Sequence, residues 1–259
     1  MPANMSEDTL YIYSSIAQLK KGIAVLIDPE KCDNGTQLRS LLEKAAFAGI
    51  DFLFVGGSTV SRKEFTQTVK YIKGHSSIPV VIFPGSSQQL SPKADAILYL
   101  SLLSGRNPDF LIGHHVQSAA ELNEMNIEVI PTAYLLIDGG TQSSVAYVSQ
   151  TTPIPRDKTT IVKHTALAGK LQGKKIVYLD AGSGAKEVVP EAMISEVASL
   201  DIPVIIGGGI RTVEQIKTAH EAGASIVVIG NHLETNTDLL LDIHSYKNDG
   251  HLRRLEIEY

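Results

Sequence analysis

The sequence predicts an α/β protein, a modified TIM (β/α)8 barrel forming a single domain over residues 1–259. Three observations predict it. The length of 259 residues is close to the roughly 250 typical of one such barrel. Short runs rich in Ile and Val alternate with longer amphipathic stretches, as parallel strands alternate with their covering helices. Glycine-rich and acidic motifs follow several of the apolar runs, where a closed barrel carries its chemistry, and no G-x-G-x-x-G opens the first helix as in an open dinucleotide-binding sheet.

In chain order, strands are expected at residues 23–27, 52–55, 80–83, 96–100, 128–137, 175–179, 204–206 and 226–229. Their β-branched content favours extended backbone. Helices are expected at 37–48, 62–73, 108–124, 157–172, 190–200, 213–222 and 233–246, from apolar spacing near 3.6 residues. The third connection, residues 84–94, holds Pro84 and Pro92 and is too short for a full covering helix. The third βα unit should therefore be irregular and leave apolar barrel wall uncovered. Residues 141–158, polar and bearing Pro153 and Pro155, read as a long loop after strand five, either a functional cover or a flexible segment. Residues 1–10 read as frayed chain or a small extra element.

Composition narrows the partners. With 43% hydrophobic and 20% charged residues, the chain can fill a large core. A net charge of −5, with lysine and arginine interspersed among acids, argues against a nucleic-acid partner. Cys32 stands alone, which excludes an internal disulfide and a thiolate metal cluster and fits a reducing compartment. No apolar run nears the ~18 residues that span a bilayer. A soluble cytoplasmic protein is expected.

The late strand ends carry three glycine-rich motifs: Tyr178-Leu179-Asp180-Ala181-Gly182-Ser183-Gly184, then Gly207-Gly208-Gly209, then Gly230-Asn231-His232. Without Cβ atoms, such loops let backbone N–H groups close on a phosphate, and the following helix dipole favours the anion. One glycine pair alone would be a tight turn; three in consecutive loops point to a phosphate cradle. After strand two, Gly56-Gly57-Ser58-Thr59 is either a second anion site or a turn with Ser58 capping a helix. Asp28, directly after strand one, is either a Mg²⁺ ligand bridging to a diphosphate or an N-cap-like aspartate before Pro29. Lys186 and Arg211 either add positive potential near the phosphates or are exposed surface charges, the commoner role for each. His114 and His115, adjacent on a helix, point about 100° apart, which disfavours a shared metal ion.

Taken together, Ile27-Asp28-Pro29-Glu30-Lys31, Val55-Gly56-Gly57-Ser58, Phe83-Pro84-Gly85, Pro131-Thr132-Ala133-Tyr134-Leu135 and the three late motifs resemble the geranylgeranylglyceryl phosphate synthase family, and are also similar to heptaprenylglyceryl phosphate synthases. The resemblance implies a Mg²⁺-dependent prenyltransferase that joins the C3 hydroxyl of sn-glycerol 1-phosphate to C1 of geranylgeranyl diphosphate, releasing diphosphate, with a heptaprenyl donor as the alternative. It implies Mg²⁺ at Asp28 and Ser58, and glycerol phosphate at Tyr178, Leu179, Asp180, Ala181, Gly182, Ser183, Gly184, Gly208, Gly209, Gly230 and Asn231. It also implies a homo-oligomer, dimer or hexamer, with at most transient membrane contact. Many relatives carry glutamate two residues after the tyrosine; Asp180 is one methylene shorter. Asp180 is then a general base or an orienter of the attacking hydroxyl. The tail needs an apolar groove, for which the irregular third unit offers an opening, and Tyr99 either limits its depth or is ordinary core. The rival reading is a metal-independent sugar-phosphate isomerase using Asp28 and Asp138 as an acid and base pair.

Overall fold

The computed structural model describes residues 12–32, 35–230, 233 and 238–255. Its strands are β1 (Gly22–Ile27), β2 (Phe52–Val55), β3 (Val80–Ile82), β4 (Ala96–Leu102), β5 (Glu128–Leu136), β6 (Ile176–Asp180), β7 (Val204–Gly207) and β8 (Ile226–Ile229). They pair in parallel, in sequence order, and β8 pairs back onto β1 to close the barrel. All eight expected strands are present, with ends shifted by no more than two residues.

Side-chain alternation divides the core into two shells, because successive residues of a strand face opposite sides. Along β6, Ile176 and Tyr178 fill the barrel interior, whereas Val177 and Leu179 face the helix layer. The interior also takes Phe52 and Phe54 of β2 and Ile130 and Tyr134 of β5. Helix α1 (Ile12–Gln18) buries Ile12 and Ile16 in this interior cluster beside Ile176 and Ile226, at the N-terminal ends of the strands. That end is stoppered, which leaves the opposite end for chemistry.

The surrounding helices are α2 (Thr36–Phe47), α3 (Arg62–His75), α4 (His114–Glu124), α5 (Ser144–Ser149), α6 (Thr159–Leu171), α7 (Glu191–Ala198), α8 (Val213–Glu221) and α9 (Leu239–Leu255). A full capping box starts α3, with Ser61 and Glu64 satisfying each other's backbone N–H groups; Thr212 and Gln215 do the same for α8. The expected gap is present: residues 83–95, between β3 and β4, contain turns and no helix. Gln89 secures this segment. Its buried side chain donates to Gly57 O at 2.8 Å and accepts from Gly85 N at 2.9 Å, tying the gap to the rim after β2.

Three expectations are corrected. The stretch 141–158 is not a bare loop, because it contains α5, started by Ser143 accepting from Ala146 N. The helix expected from residue 108 opens as a π-helix over Asp109–Gly113 before becoming α4. The final helix runs well past residue 246, to Leu255. The early helix α1 begins at residue 12, whereas residues 1–10, expected to fray or form a small element, lie outside the described residues.

Candidate active site

A cavity of about 420 Å³ opens at the C-terminal ends of the strands, and it has two chemically different halves. The polar half is built from the loops after β1, β2, β6, β7 and β8: Asp28, Ser58, Gly182, Ser183, Gly184, Gly208, Gly209 and Gly230 all line it. Lone motifs far apart in sequence therefore meet at one mouth. Gly182, Gly184, Gly208 and Gly209 have φ between 75° and 90°, the left-handed region that disfavours side chains. At Gly208 the need is also spatial, since a Cβ there would lie 2.7 Å from Gly182 N.

Two of the expected phosphate-site residues have no side chain in the cavity. Leu179 and Ala181 point into the helix-facing core, as strand alternation dictates on either side of Asp180. The Ala181 N–H is already donated to Gly207 O, and that of Gly182 to the Asp180 carboxylate. Asn231 lies outside the described residues.

Asp180 ends β6 and is buried at 7% exposure while lining the cavity. Its Oδ1 accepts from Gly182 N at 2.8 Å and its Oδ2 from the Tyr134 hydroxyl at 2.5 Å. Burial pushes its carboxyl above the usual aspartate range, and the bonds from Tyr134 and Gly182 oppose that push by favouring the anion. The Tyr134 and Tyr178 phenols lie well above their ordinary value, raised first by burial and then by the Asp180 charge. Both remain protonated at neutral pH. Phe83 stacks on Tyr178 at 5.0 Å and meets Tyr134 edge-on at 5.8 Å, so the group holding Asp180 is packed from three sides.

At the other rim, Asp28 Oδ1 accepts from Glu30 N at 3.2 Å, and Lys31 Nζ lies 3.6 Å from Oδ2. Glu30 accepts from the Thr59 hydroxyl at 2.7 Å, linking the β1 and β2 loops. The helix cap in this loop is Ser61, not Ser58, so Ser58 is left on the cavity wall. Arg211 is exposed, as expected, and it also borders the cavity, where it donates to Ala185 O at 2.7 Å and places a cation beside the glycine loops. Lys186 is exposed, as expected. The pairing of Asp28 with Asp138 fails. Asp138 is exposed, accepts from Gly140 N and does not line the cavity.

The apolar half lies along the helix gap and is walled by Leu90, Ile97, Tyr99, Leu102, Phe110 and Val148. The Tyr99 ring packs on His115 at 4.2 Å and its hydroxyl donates to His115 O at 2.8 Å. His115 is itself fixed by donating Nε2–H to Leu100 O at 2.7 Å. Both histidines line the cavity wall, and the Phe110 ring meets His114 edge-on at 4.9 Å.

The model of the PcrB family matches residues 16–246. This chain belongs to the PcrB family. Among its relatives, the geranylgeranylglyceryl phosphate synthase of Chitinophaga pinensis is 47% identical over 237 residues, covering 90% of this chain and 94% of the relative. The protein of the same name from Korarchaeum cryptofilum is 38% identical over 226 residues, covering 87% and 92%. The crystal structure of (S)-3-O-geranylgeranylglyceryl phosphate synthase from Thermoplasma acidophilum, in complex with the substrate sn-glycerol-1-phosphate, superimposes with a TM-score of 0.85 at 37% identity, covering 91% of this chain and 96% of that one. The PcrB match spans the strands and loops that build both halves of the cavity.

Proposed function

We propose that this PcrB-family chain is a prenyltransferase that joins the C3 hydroxyl of sn-glycerol 1-phosphate to C1 of geranylgeranyl diphosphate, forming an ether and releasing diphosphate. One observation carries the reading: a glycine-loop anion cradle and an apolar channel are two halves of one cavity, with a buried carboxylate among the lining residues. A sugar phosphate alone would leave the apolar half without a purpose. The names of the relatives support the geranylgeranyl group as the tail.

The glycine loops and Arg211 receive the glycerol phosphate by backbone N–H groups and charge. Asp180 faces the C3 hydroxyl and accepts its proton as the C3 oxygen bonds to C1 and the C1–oxygen bond to diphosphate breaks. The packed aromatic group around Asp180 keeps water from competing for C1.

Asp28 and Ser58 suit Mg²⁺. Both present hard oxygen atoms on one rim, and the absent side chain of Gly57 makes room for Asp28, since a Cβ there would fall 2.7 Å from Oδ1. One carboxylate and one hydroxyl match an ion that takes its remaining ligands from water and substrate oxygens. Bound there, Mg²⁺ neutralises charge on the diphosphate.

Self-association is part of the proposal. Ile112 just before α4, Val116 on α4, and Ile161 and Leu171 on α6 are 49% to 80% exposed, and their burial favours a homo-oligomer.

The test is transfer of labelled sn-glycerol 1-phosphate into butanol-extractable lipid with geranylgeranyl diphosphate, with and without EDTA. Magnesium-dependent product, lost in Asp28→Asn, is expected. A folded protein that makes no product from any prenyl diphosphate would overturn the proposal.

A further inference from the structure

We propose that Tyr134 is a positioning residue for the transfer reaction: its hydroxyl aims the Asp180 carboxylate and holds it as the anion while the active site is dry. This rests on the prenyltransferase reading above. The geometry is specific. The 2.5 Å bond to Oδ2 joins residues 46 positions apart, from the adjacent strands β5 and β6, and Tyr134 itself is 5% exposed. The phenol cannot turn away, because Phe83 meets its ring edge-on and Tyr178 packs against it at 5.5 Å.

The conflict that Tyr134 resolves is built into the site. A base for a substrate hydroxyl must be ionised, yet burial beneath an apolar prenyl tail favours the protonated acid. The groups facing Asp180 are few: Tyr134 from β5, the Gly182 N–H from the following loop and Tyr178 from its own strand. The charged side chains Asp28, Glu30, Lys31 and Arg211 and the imidazoles of His114 and His115 line the same cavity, but none of them is bonded to Asp180. The neutral phenol is therefore the one side-chain donor among the described residues that stabilises this carboxylate. It also occupies Oδ2, so the lone pairs left for substrate have a fixed direction. Asp180 is one methylene shorter than glutamate, and fixing its direction matters more because the shorter side chain has less reach.

Tyr134→Phe keeps the ring and deletes the donor. The acid limb of its kcat/KM profile is expected to move up by about one pH unit, giving about tenfold lower activity on that side and a smaller loss on the alkaline plateau. Incorporation of 3-fluorotyrosine at position 134, which strengthens the donor without altering the fold, is expected to move the limb down. Carbon NMR titration of the Asp180 carboxyl in the ligand-free protein, assigned with Asp180→Asn, should shift in the same two directions. An unchanged limb and an unchanged carboxyl titration in folded Tyr134→Phe would overturn the proposal. If wild-type protein transfers no prenyl group, the functional reading falls, and the carboxyl titration still decides whether Tyr134 holds Asp180.

Discussion

Gly182 donates its backbone N–H to Asp180 Oδ1 at 2.8 Å, so the buried carboxylate that lines the cavity also fixes the first glycine of the loop after β6. Chemistry and phosphate binding are mechanically joined at this bond. Asp180→Asn preserves it, because the amide oxygen accepts equally well, while removing the base. The variant is expected to lose 10²- to 10⁴-fold in kcat, with little change in affinity for sn-glycerol 1-phosphate.

The same variant should gain stability. The folded-state pKa of Asp180 is raised by burial. A carboxyl so shifted helps folding below its unfolded value and loses that help as pH rises through the folded value. At pH 7 the ionised group is a net cost of burial, and the neutral amide removes it. Thermal melts at pH 7 to 8 should show Asp180→Asn at or above the wild-type Tm. A drop of several degrees would mean that the carboxylate is chiefly a structural strut.

Two loop glycines separate spatial need from backbone strain. A Cβ on Gly208 meets the backbone of Gly182 and Ala181 under 3 Å, whereas one on Gly184 meets nothing within 4 Å, though both have positive φ. Gly184→Ala bears only the strain of a left-handed residue, about 1–2 kcal/mol. Gly208→Ala must also displace the loop that forms the cradle. Calorimetry should find sn-glycerol 1-phosphate binding weakened at least tenfold in Gly208→Ala and much less in Gly184→Ala.

The barrel was legible because its strands are short β-branched runs buried on both faces, a pattern that helices do not share. The helix gap was legible from Pro84, Pro92 and a connection of eleven residues. Helix α5 was not: in the six residues Ser144–Ser149, serine, valine and tyrosine of weak helix propensity surround the single helix-favouring Ala146, and Ser143 as an N-cap was the signal available. The glycine motifs meet at one cavity mouth, but a motif lists consecutive residues while a strand alternates faces, so Leu179 and Ala181 were swept in with their neighbours. Tyr134 was visible only as part of a resemblance. Its bond to Asp180 depends on the register of β5 against β6, which no local pattern encodes. The reach of Gln89 to Gly57 escaped notice for the same reason.

Tail length should respond to Tyr99. Its ring stands in the apolar wall and is held there by His115, so it cannot swing out to admit a longer chain. Tyr99→Ala deletes that obstruction. The variant is expected to transfer prenyl groups longer than C20 with at least tenfold better relative kcat/KM than wild type. Equal selectivity in both proteins would place the end of the channel elsewhere.

The closed end of the barrel supplies a pH dependence separate from catalysis. His220 is 7% exposed; Nε2 lies 3.0 Å from Gly22 O and Nδ1 lies 3.1 Å from the Tyr246 hydroxyl. The carbonyl requires a proton on Nε2, and in the neutral ring Nδ1 then accepts from the Tyr246 hydroxyl. Burial lowers its pKa below 6.5, and Lys21 and Lys247 lower it further, against the opposing pull of the Gly22 carbonyl and Asp51. A base depressed in the folded state contributes stability above its unfolded pKa and loses it as pH falls through 6.5 toward the folded value, because the unfolded chain takes up the proton first. His115, also lowered by burial, adds to the same slope. Tm should therefore fall steadily from pH 6.5 to pH 5. His220→Gln, which cannot protonate, should start lower at pH 7.5 and lose less over that interval. An identical slope in the variant would assign the acid sensitivity to other groups, with His115 the next to replace.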